Sequence, residues 1–292
     1  MNFVAKRQQR LRELRGKYPD FSEVFNLYGD IYALMETRVP DYLQVEDEAA
    51  MAPSSPGDRP LLRGDNLQVD AAGASGFMLD LIDILKQHGQ QGGEDLDRLA
   101  KGIATAAVDV ATLLRASLER DRLQITGEAE SLQVDPAMVE YVGGMALSLA
   151  LQLARERGLR VDSSDWNKRF CPLCGGAPTM GELVGDEGRM VLHCGTCGES
   201  WASLRHACAT CGNVDGKTLE YFTAGPEKGY RVHICRQCDS YLKVIDSREA
   251  GADLPMDLED VATLYLDVLA RREGFTRGKR DGAPADAAVS TA

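Results

Sequence analysis

The chain has 292 residues, 44% of them hydrophobic, and its acidic excess gives a net charge of −12 and a pI near 4.9. That is enough apolar material for a buried core in one or two domains, so disorder is not the default. The negative balance argues against a binder of nucleic-acid phosphates or anionic membranes, whose surface has to be basic.

The opening MNFVAKRQQRLREL is charged and lacks the apolar centre of an export signal, and no apolar run approaches the ~20 residues of a membrane-spanning helix. A cytoplasmic address is therefore expected. Residues 1–165 read as an all-α domain. A basic helix is predicted over 3–17, with Leu11 and Leu14 on one side. A second covers 20–36, capped by Asp20 with Glu23 completing a capping box, and carries Val24, Phe25, Tyr28, Ile31, Tyr32 and Met35 at helical spacing. A loop from Pro40 to Ala72 holds an acidic patch (Glu46, Asp47, Glu48) and the breaker-rich MAPSSPGDRP. An amphipathic helix over 74–88 buries Phe77, Met78, Leu81, Ile82 and Leu85. Beyond the break at Gly89–Gly93, helices are expected over 94–102 and 104–119. Another starts at Pro136 under an Asp135 cap and runs to Arg157, with a stripe of Met138, Val142, Met145, Leu149 and Leu153. Gly143-Gly144 within it is costly by propensity and marks a close helix crossing.

From Trp166 the texture changes to frequent glycine and short apolar runs. Strands are expected over 179–184, 189–193, 217–223, 229–234 and 241–246. A final helix over 258–273, capped by Asp257, presents Leu258, Val261, Ala262, Tyr265, Val268 and Leu269 on one face, and the tail from Arg277 is expected to be disordered. The fold class is thus α+β. The helical domain 1–165 is followed by two small rubredoxin-like or zinc-ribbon β lobes (166–205 and 206–250), a C-terminal helix within 251–276, and a tail, 277–292.

All eight cysteines fall in this second half as four Cys-x-x-Cys pairs: Cys171/Cys174, Cys194/Cys197, Cys208/Cys211 and Cys235/Cys238. Eight thiolates suffice for two tetrahedral four-sulfur metal sites. In a reducing compartment such pairs bind metal more often than they form disulfides, and this tight spacing makes a poor structural crosslink. The residue after the second cysteine is Gly175, Gly198 or Gly212 in three pairs and Asp239 in the fourth, as a left-handed turn requires. The gaps 175–193 and 212–234 each fit a hairpin, so first-with-second and third-with-fourth pairing is expected, with an interleaved cross-brace as the alternative. Four thiolates suit Zn²⁺ and rubredoxin-type iron equally. His193, His206 and His233 flank the cysteines and are read as supporting or surface groups, and His88 as a structural residue at a helix end. A catalytic zinc keeps an open position, whereas these sets are closed. No nucleophile elbow, phosphate loop or dinucleotide fingerprint occurs, so no catalytic or organic-cofactor residue is nominated.

The run CPLCGGAP, LHCGTCGESW, CATCG and CRQCDSYLKVID, with the later LEDVATLYLDVLARREGF, closely resembles the formate dehydrogenase accessory protein FdhE family. Pro178, Trp201 and Tyr241-Leu242-Lys243 share in the resemblance, and Pro60-Leu61 carries a weaker echo in the first half. The family often ends in a short apolar motif, whereas here Gly274-Phe275 is followed by a polar tail. The resemblance implies a cytoplasmic, non-enzymatic assembly factor. It would bind the catalytic subunit of a molybdenum- or tungsten-containing formate dehydrogenase during maturation, with metal held rubredoxin-fashion by the eight cysteines. It implies neither nucleic acid nor membrane insertion, and leaves a homodimer open. A rubredoxin-like electron carrier is the alternative. A nucleic-acid-binding zinc ribbon is disfavoured: residues 166–248 hold ten basic and nine acidic side chains, and two Cys₄ sites of charge −2 would turn that balance negative.

Overall fold

The computed structural model describes residues 3–45, 57–89, 91–225 and 227–278. The expected acidic patch (Glu46, Asp47, Glu48), most of the Pro-rich loop and nearly all of the tail lie outside these. The described residues fall into two compact units, one within Met1–Ala52 and Leu62–Arg160, the other within Pro53–Leu61 and Val161–Ala292.

The first unit is a helical bundle of α1 (Phe3–Lys17), α2 (Ser22–Thr37), α3 (Ala71–His88), α4 (Gly93–Ala104), α5 (Val110–Glu119), α6 (Arg122–Leu132) and α7 (Pro136–Glu156). Its core takes Leu11 and Leu14 from α1, Phe25 and Ile31 from α2, and Phe77, Met78, Leu81 and Ile82 from α3. Asp70, Asp109, Asp121 and Asp135 each accept a hydrogen bond from a first-turn N–H and so cap α3, α5, α6 and α7.

Several expectations are corrected here. Asp20 caps nothing, because Pro19–Phe21 forms a 3₁₀ turn and α2 starts at Ser22 without a side-chain cap. The segment 104–119 is not one helix: α4 ends at Ala104, and Asp109 opens α5 afresh. Helix α6 escapes the sequence because only Ile125 and Ala129 of its residues are buried, too few to print a stripe. The long loop contains a small antiparallel pair, β1 (Leu43–Val45) with β2 (Leu67–Val69). On α7 the buried face runs through Val139, Val142, Ala146, Leu147 and Ala150, while Met138, Met145 and Leu153 are half-buried. Helix α7 is also long and apolar enough by composition to cross a membrane, contrary to the reading above, but half of that window is buried, as in a core helix. Gly143 does mark a close crossing: a Cβ there would lie 2.9 Å from Ser117 Oγ and 3.4 Å from Leu113 Cγ on α5.

The second unit is built on a seven-stranded sheet. Its strands are β3 (Pro178–Val184), β4 (Arg189–Cys194), β5 (Ser200–Ser203), β6 (Leu219–Phe222), β7 (Tyr230–Cys235), β8 (Ser240–Asp246) and β9 (Thr276–Arg277), in the order β5-β4-β3-β8-β7-β6 with β9 beside β8. Two hairpin systems, β3-β4-β5 and β6-β7-β8, join where β3 and β8 run parallel and pair Met180–Leu183 with Lys243–Asp246. The two lobes thereby share one sheet. Gly181 sits at this junction, where a Cβ would meet Leu242, Met190 and Val244 side-chain atoms at 3.1 Å. Asp246 ends β8 fully buried and accepts from Arg231 Nη2 at 2.6 Å and Arg248 Nη2 at 2.5 Å, while Arg248 also donates to the Asp186 carbonyl in the β3–β4 turn.

Three short helices follow, α8 (Ser247–Ala250), α9 (Met256–Ala262) and α10 (Leu264–Arg272). The single final helix expected is broken at Thr263, and Asp257 lies in the first turn of α9 instead of capping it. Lys243 explains the break, because its Nζ takes the Asp260 carbonyl at 2.6 Å, which a continuous helix would spend on Leu264. The break rotates the buried face to Leu266, Asp267 and Ala270 and leaves Val268 exposed. Leu266, Ala270 and Phe275 pack on Met180, Val232, Ile234, Tyr241 and Ile245 of the sheet.

Candidate metal centres

Each Cys-x-x-Cys pair sits on a short turn closed by its own backbone. In the first three knuckles the N–H of the following glycine donates to the first cysteine's carbonyl at 2.9–3.0 Å: Gly175 to Cys171, Gly198 to Cys194, Gly212 to Cys208. The turn needs a left-handed residue there, and Gly175, Gly198, Gly212 and Asp239 have φ of +71°, +72°, +77° and +50°. The hairpins then carry knuckle to knuckle. Cys171, Cys174, Cys194 and Cys197 form one quartet, and Cys208, Cys211, Cys235 and Cys238 the other, with the sulfurs of each set all within 4.8 Å of one another. Sequential pairing therefore holds, and the cross-brace does not.

The closest sulfurs are 3.5 Å apart in the first quartet (Cys171–Cys197 and Cys174–Cys194), and 3.7 Å (Cys208–Cys238) and 3.8 Å (Cys211–Cys235) in the second. A disulfide needs ~2.05 Å, whereas four thiolates around a cation at ~2.3 Å sit about 3.8 Å apart. The donor sets thus fit a tetrahedral cation in both number and spacing, and each Cys₄ group could hold one metal ion.

The electrostatics of the thiols fit too. Burial pushes Cys171 and Cys197 well above the usual thiol range, while hydrogen bonds from Cys171, Cys174 and Cys197 hold Cys194 well below it. Burial thus disfavours charge on Cys171 and Cys197, while the neighbouring groups favour it on Cys194. A bound divalent cation reverses that balance and favours every thiolate. In the second quartet burial opposes the ionisation of Cys208. Donation from the Cys211 N–H, the Ser240 hydroxyl and the Thr210 N–H outweighs it and draws the pKa down to about 7, whereas burial raises Cys211.

The flanking histidines stand off the sulfurs. His193 Nε2 meets Glu182 at 2.8 Å, and Glu182 is also bonded by Ser247. His233 lies against the Tyr221 ring with centroids 5.8 Å apart, and burial with the Arg231 charge drops its pKa to about 4. His206 is exposed. His88 meets Asp30 at 2.7 Å. Sequence reasoning missed the polar groups around the second quartet: Ser240 Oγ is 3.1 Å from Cys238 Sγ, and Asn213 Nδ2 is 3.5 Å from Cys235 Sγ. The position of Ser240, two residues after Cys238, was the one available signal. The echo at Pro60-Leu61 has a contact behind it, since the Leu61 N–H donates to the carbonyl of Pro172 inside the first knuckle at 2.9 Å.

Comparison with known proteins agrees with this architecture. A family model for the C-terminal domain of FdhE matches residues 206–281. An FdhE homolog of Aquifex aeolicus is 34% identical over 126 residues, 42% of this chain and 44% of that protein. One from Haemophilus ducreyi is 27% identical over 288 residues, 94% and 87% of the two chains. The matches to the Aquifex aeolicus and Proteus mirabilis homologs span 44% and 56% of those proteins' lengths. The crystal structure of the FdhE protein from Pseudomonas aeruginosa shares the fold, with a TM-score of 0.66 and 20% identity over 94% of this chain and 93% of that one. With two Cys₄ quartets in a sheet-built second unit and these matches beside them, the chain is similar to FdhE proteins over nearly its whole length, and its C-terminal part matches the FdhE C-terminal domain.

Proposed function

We propose that this chain is a cytoplasmic accessory protein that binds the catalytic subunit of a formate dehydrogenase and is needed for that enzyme's maturation. The observation that carries the reading is the composition of both quartets: each offers a full set of four thiols to one cation. Cys171, Cys174, Cys194 and Cys197 would hold one ion, and Cys208, Cys211, Cys235 and Cys238 the other, as iron or zinc. Such an ion would crosslink the hairpins that meet at each quartet. The chain's own residues do the rest: they shape a rigid surface for a partner, and none is assigned a catalytic role. Affinity capture from cells that make a formate dehydrogenase is expected to retrieve its catalytic subunit, and deletion of the gene to abolish that enzyme's activity. Full activity in the deletion strain, with no subunit captured, overturns the reading.

A second reading, a rubredoxin-like electron carrier, is favoured by the partial exposure of Cys211 and Cys238. It requires a red iron protein with a reversible couple; a colourless zinc protein with full maturation activity rejects it.

A further inference from the structure

The two quartets are chemically unequal. In the first, all four cysteines are buried, none more than 4% exposed. In the second, Cys211 and Cys238 are partly open to solvent. The other two, Cys208 and Cys235, line an open cavity of about 220 Å³ whose walls also include Arg205, His206, Tyr221 and Leu242. Arg205 is exposed and spends its one hydrogen bond on the Glu187 carbonyl, and among the described residues no carboxylate pairs with it. Its charge is thus available to an anion entering the cavity.

The donors around the sulfurs differ as well. Backbone N–H groups serve both quartets: Cys174 and Thr196 in the first, Thr210 and Cys211 in the second. The second adds side chains. Ser240 Oγ lies 3.1 Å from Cys238 Sγ and 3.6 Å from Cys208 Sγ, and Asn213 Nδ2 lies 3.5 Å from Cys235 Sγ. The Asn213 amide is fixed in that sense because its Oδ1 accepts from the Asp215 N–H at 3.0 Å. Such outer hydrogen bonds orient the sulfurs and tune the ion they would hold.

We propose that the second quartet is the exchangeable metal centre of the pair, reached by small anionic metal ligands through the cavity beside Arg205, while the first quartet holds its ion permanently. This rests on the reading that both quartets bind metal. Access carries the inference, because it lowers the barrier to a competing ligand.

The test uses the full chain loaded with Zn²⁺. Bound zinc is counted first: two ions per chain are expected from the two quartets, and fewer overturn the metal reading itself. Excess EDTA is then added with iodoacetamide present, and the alkylated cysteines are located by mass spectrometry over time. The proposal expects two phases, with the fast one releasing one ion and labelling Cys208, Cys211, Cys235 and Cys238. Arg205→Gln slows that phase about threefold or more with anionic EDTA and leaves it unchanged with neutral 1,10-phenanthroline. A single phase, or early labelling of Cys171, Cys174, Cys194 or Cys197, overturns the proposal. An Arg205→Gln variant that behaves like the unaltered chain with both chelators removes the cavity as the route.

Discussion

Lys243 is the residue on which the sheet of the metal unit meets its helices. It is 1% exposed, with its ammonium 2.7 Å from both Asp260 Oδ1 and Asp267 Oδ2. Arg277 bonds the same two carboxylates, and Tyr241 donates to Asp267 at 2.7 Å. Burial works to raise the pKa of Asp260, but Arg277 and Lys243 outweigh it and hold it below the ordinary range. Removing one partner of a buried ionic set leaves the others uncompensated, so Lys243→Met is expected to destabilise the metal unit by about 3–5 kcal/mol, read as a lower urea midpoint. Asp109 offers a simpler case in the helical unit. Its carboxylate accepts from the Thr112 N–H at 3.1 Å and hydroxyl at 2.8 Å, and these bonds lower its pKa. A depressed carboxylate contributes stability above its unfolded pKa of about 3.9 and loses it as the pH falls through the lower folded value. Asp109→Ala is therefore expected to cost about 1 kcal/mol at neutral pH, and the gap between the variant and the unaltered chain to close at about pH 2. Thermal melts of the helical signal at the two pH values check this.

At the scale of elements, the knuckles show how little sequence a metal turn needs. Three use glycine at the left-handed position and the fourth uses Asp239 at φ +50°. A β-branched residue is strained there by roughly 1–2 kcal/mol. Asp239→Val is expected to speed metal loss to a chelator from the second quartet alone, whereas Asp239→Gly leaves it near the original rate. The helices make the converse point. Four aspartate caps were required by the start of α3, α5, α6 and α7, yet only the Asp135 cap of α7 was read from sequence. Asp20 and Asp257, in equally good local sequence, cap nothing, because neighbouring prolines set other turns. The break at Thr263 was invisible for a different reason: its cause, Lys243, comes from a strand 20 residues away.

Across the whole molecule, both tryptophans report on one unit. Trp166 and Trp201 are buried in the second unit and donate to the Phe170 and Lys168 carbonyls. Removing metal from both quartets is expected to red-shift the tryptophan fluorescence strongly while most of the helical circular dichroism, which comes chiefly from the first unit, survives. Loss of both signals together would show that the helical unit cannot fold without the metal unit. Legible in the sequence was the chemistry: eight cysteines in fixed pairs, the left-handed turns that present them, and two gaps that suit a hairpin. Those are local constraints, set by covalent spacing and backbone sterics. The tertiary structure alone decided that β3 and β8 pair in parallel and so fuse two lobes into one sheet. It also decided that Lys243 is buried among carboxylates and that one quartet opens to a cavity while the other is sealed. Each of these depends on residues far apart in the chain meeting in space, and burial, which sets both the ion pairs and the access to sulfur, exists only once they have met.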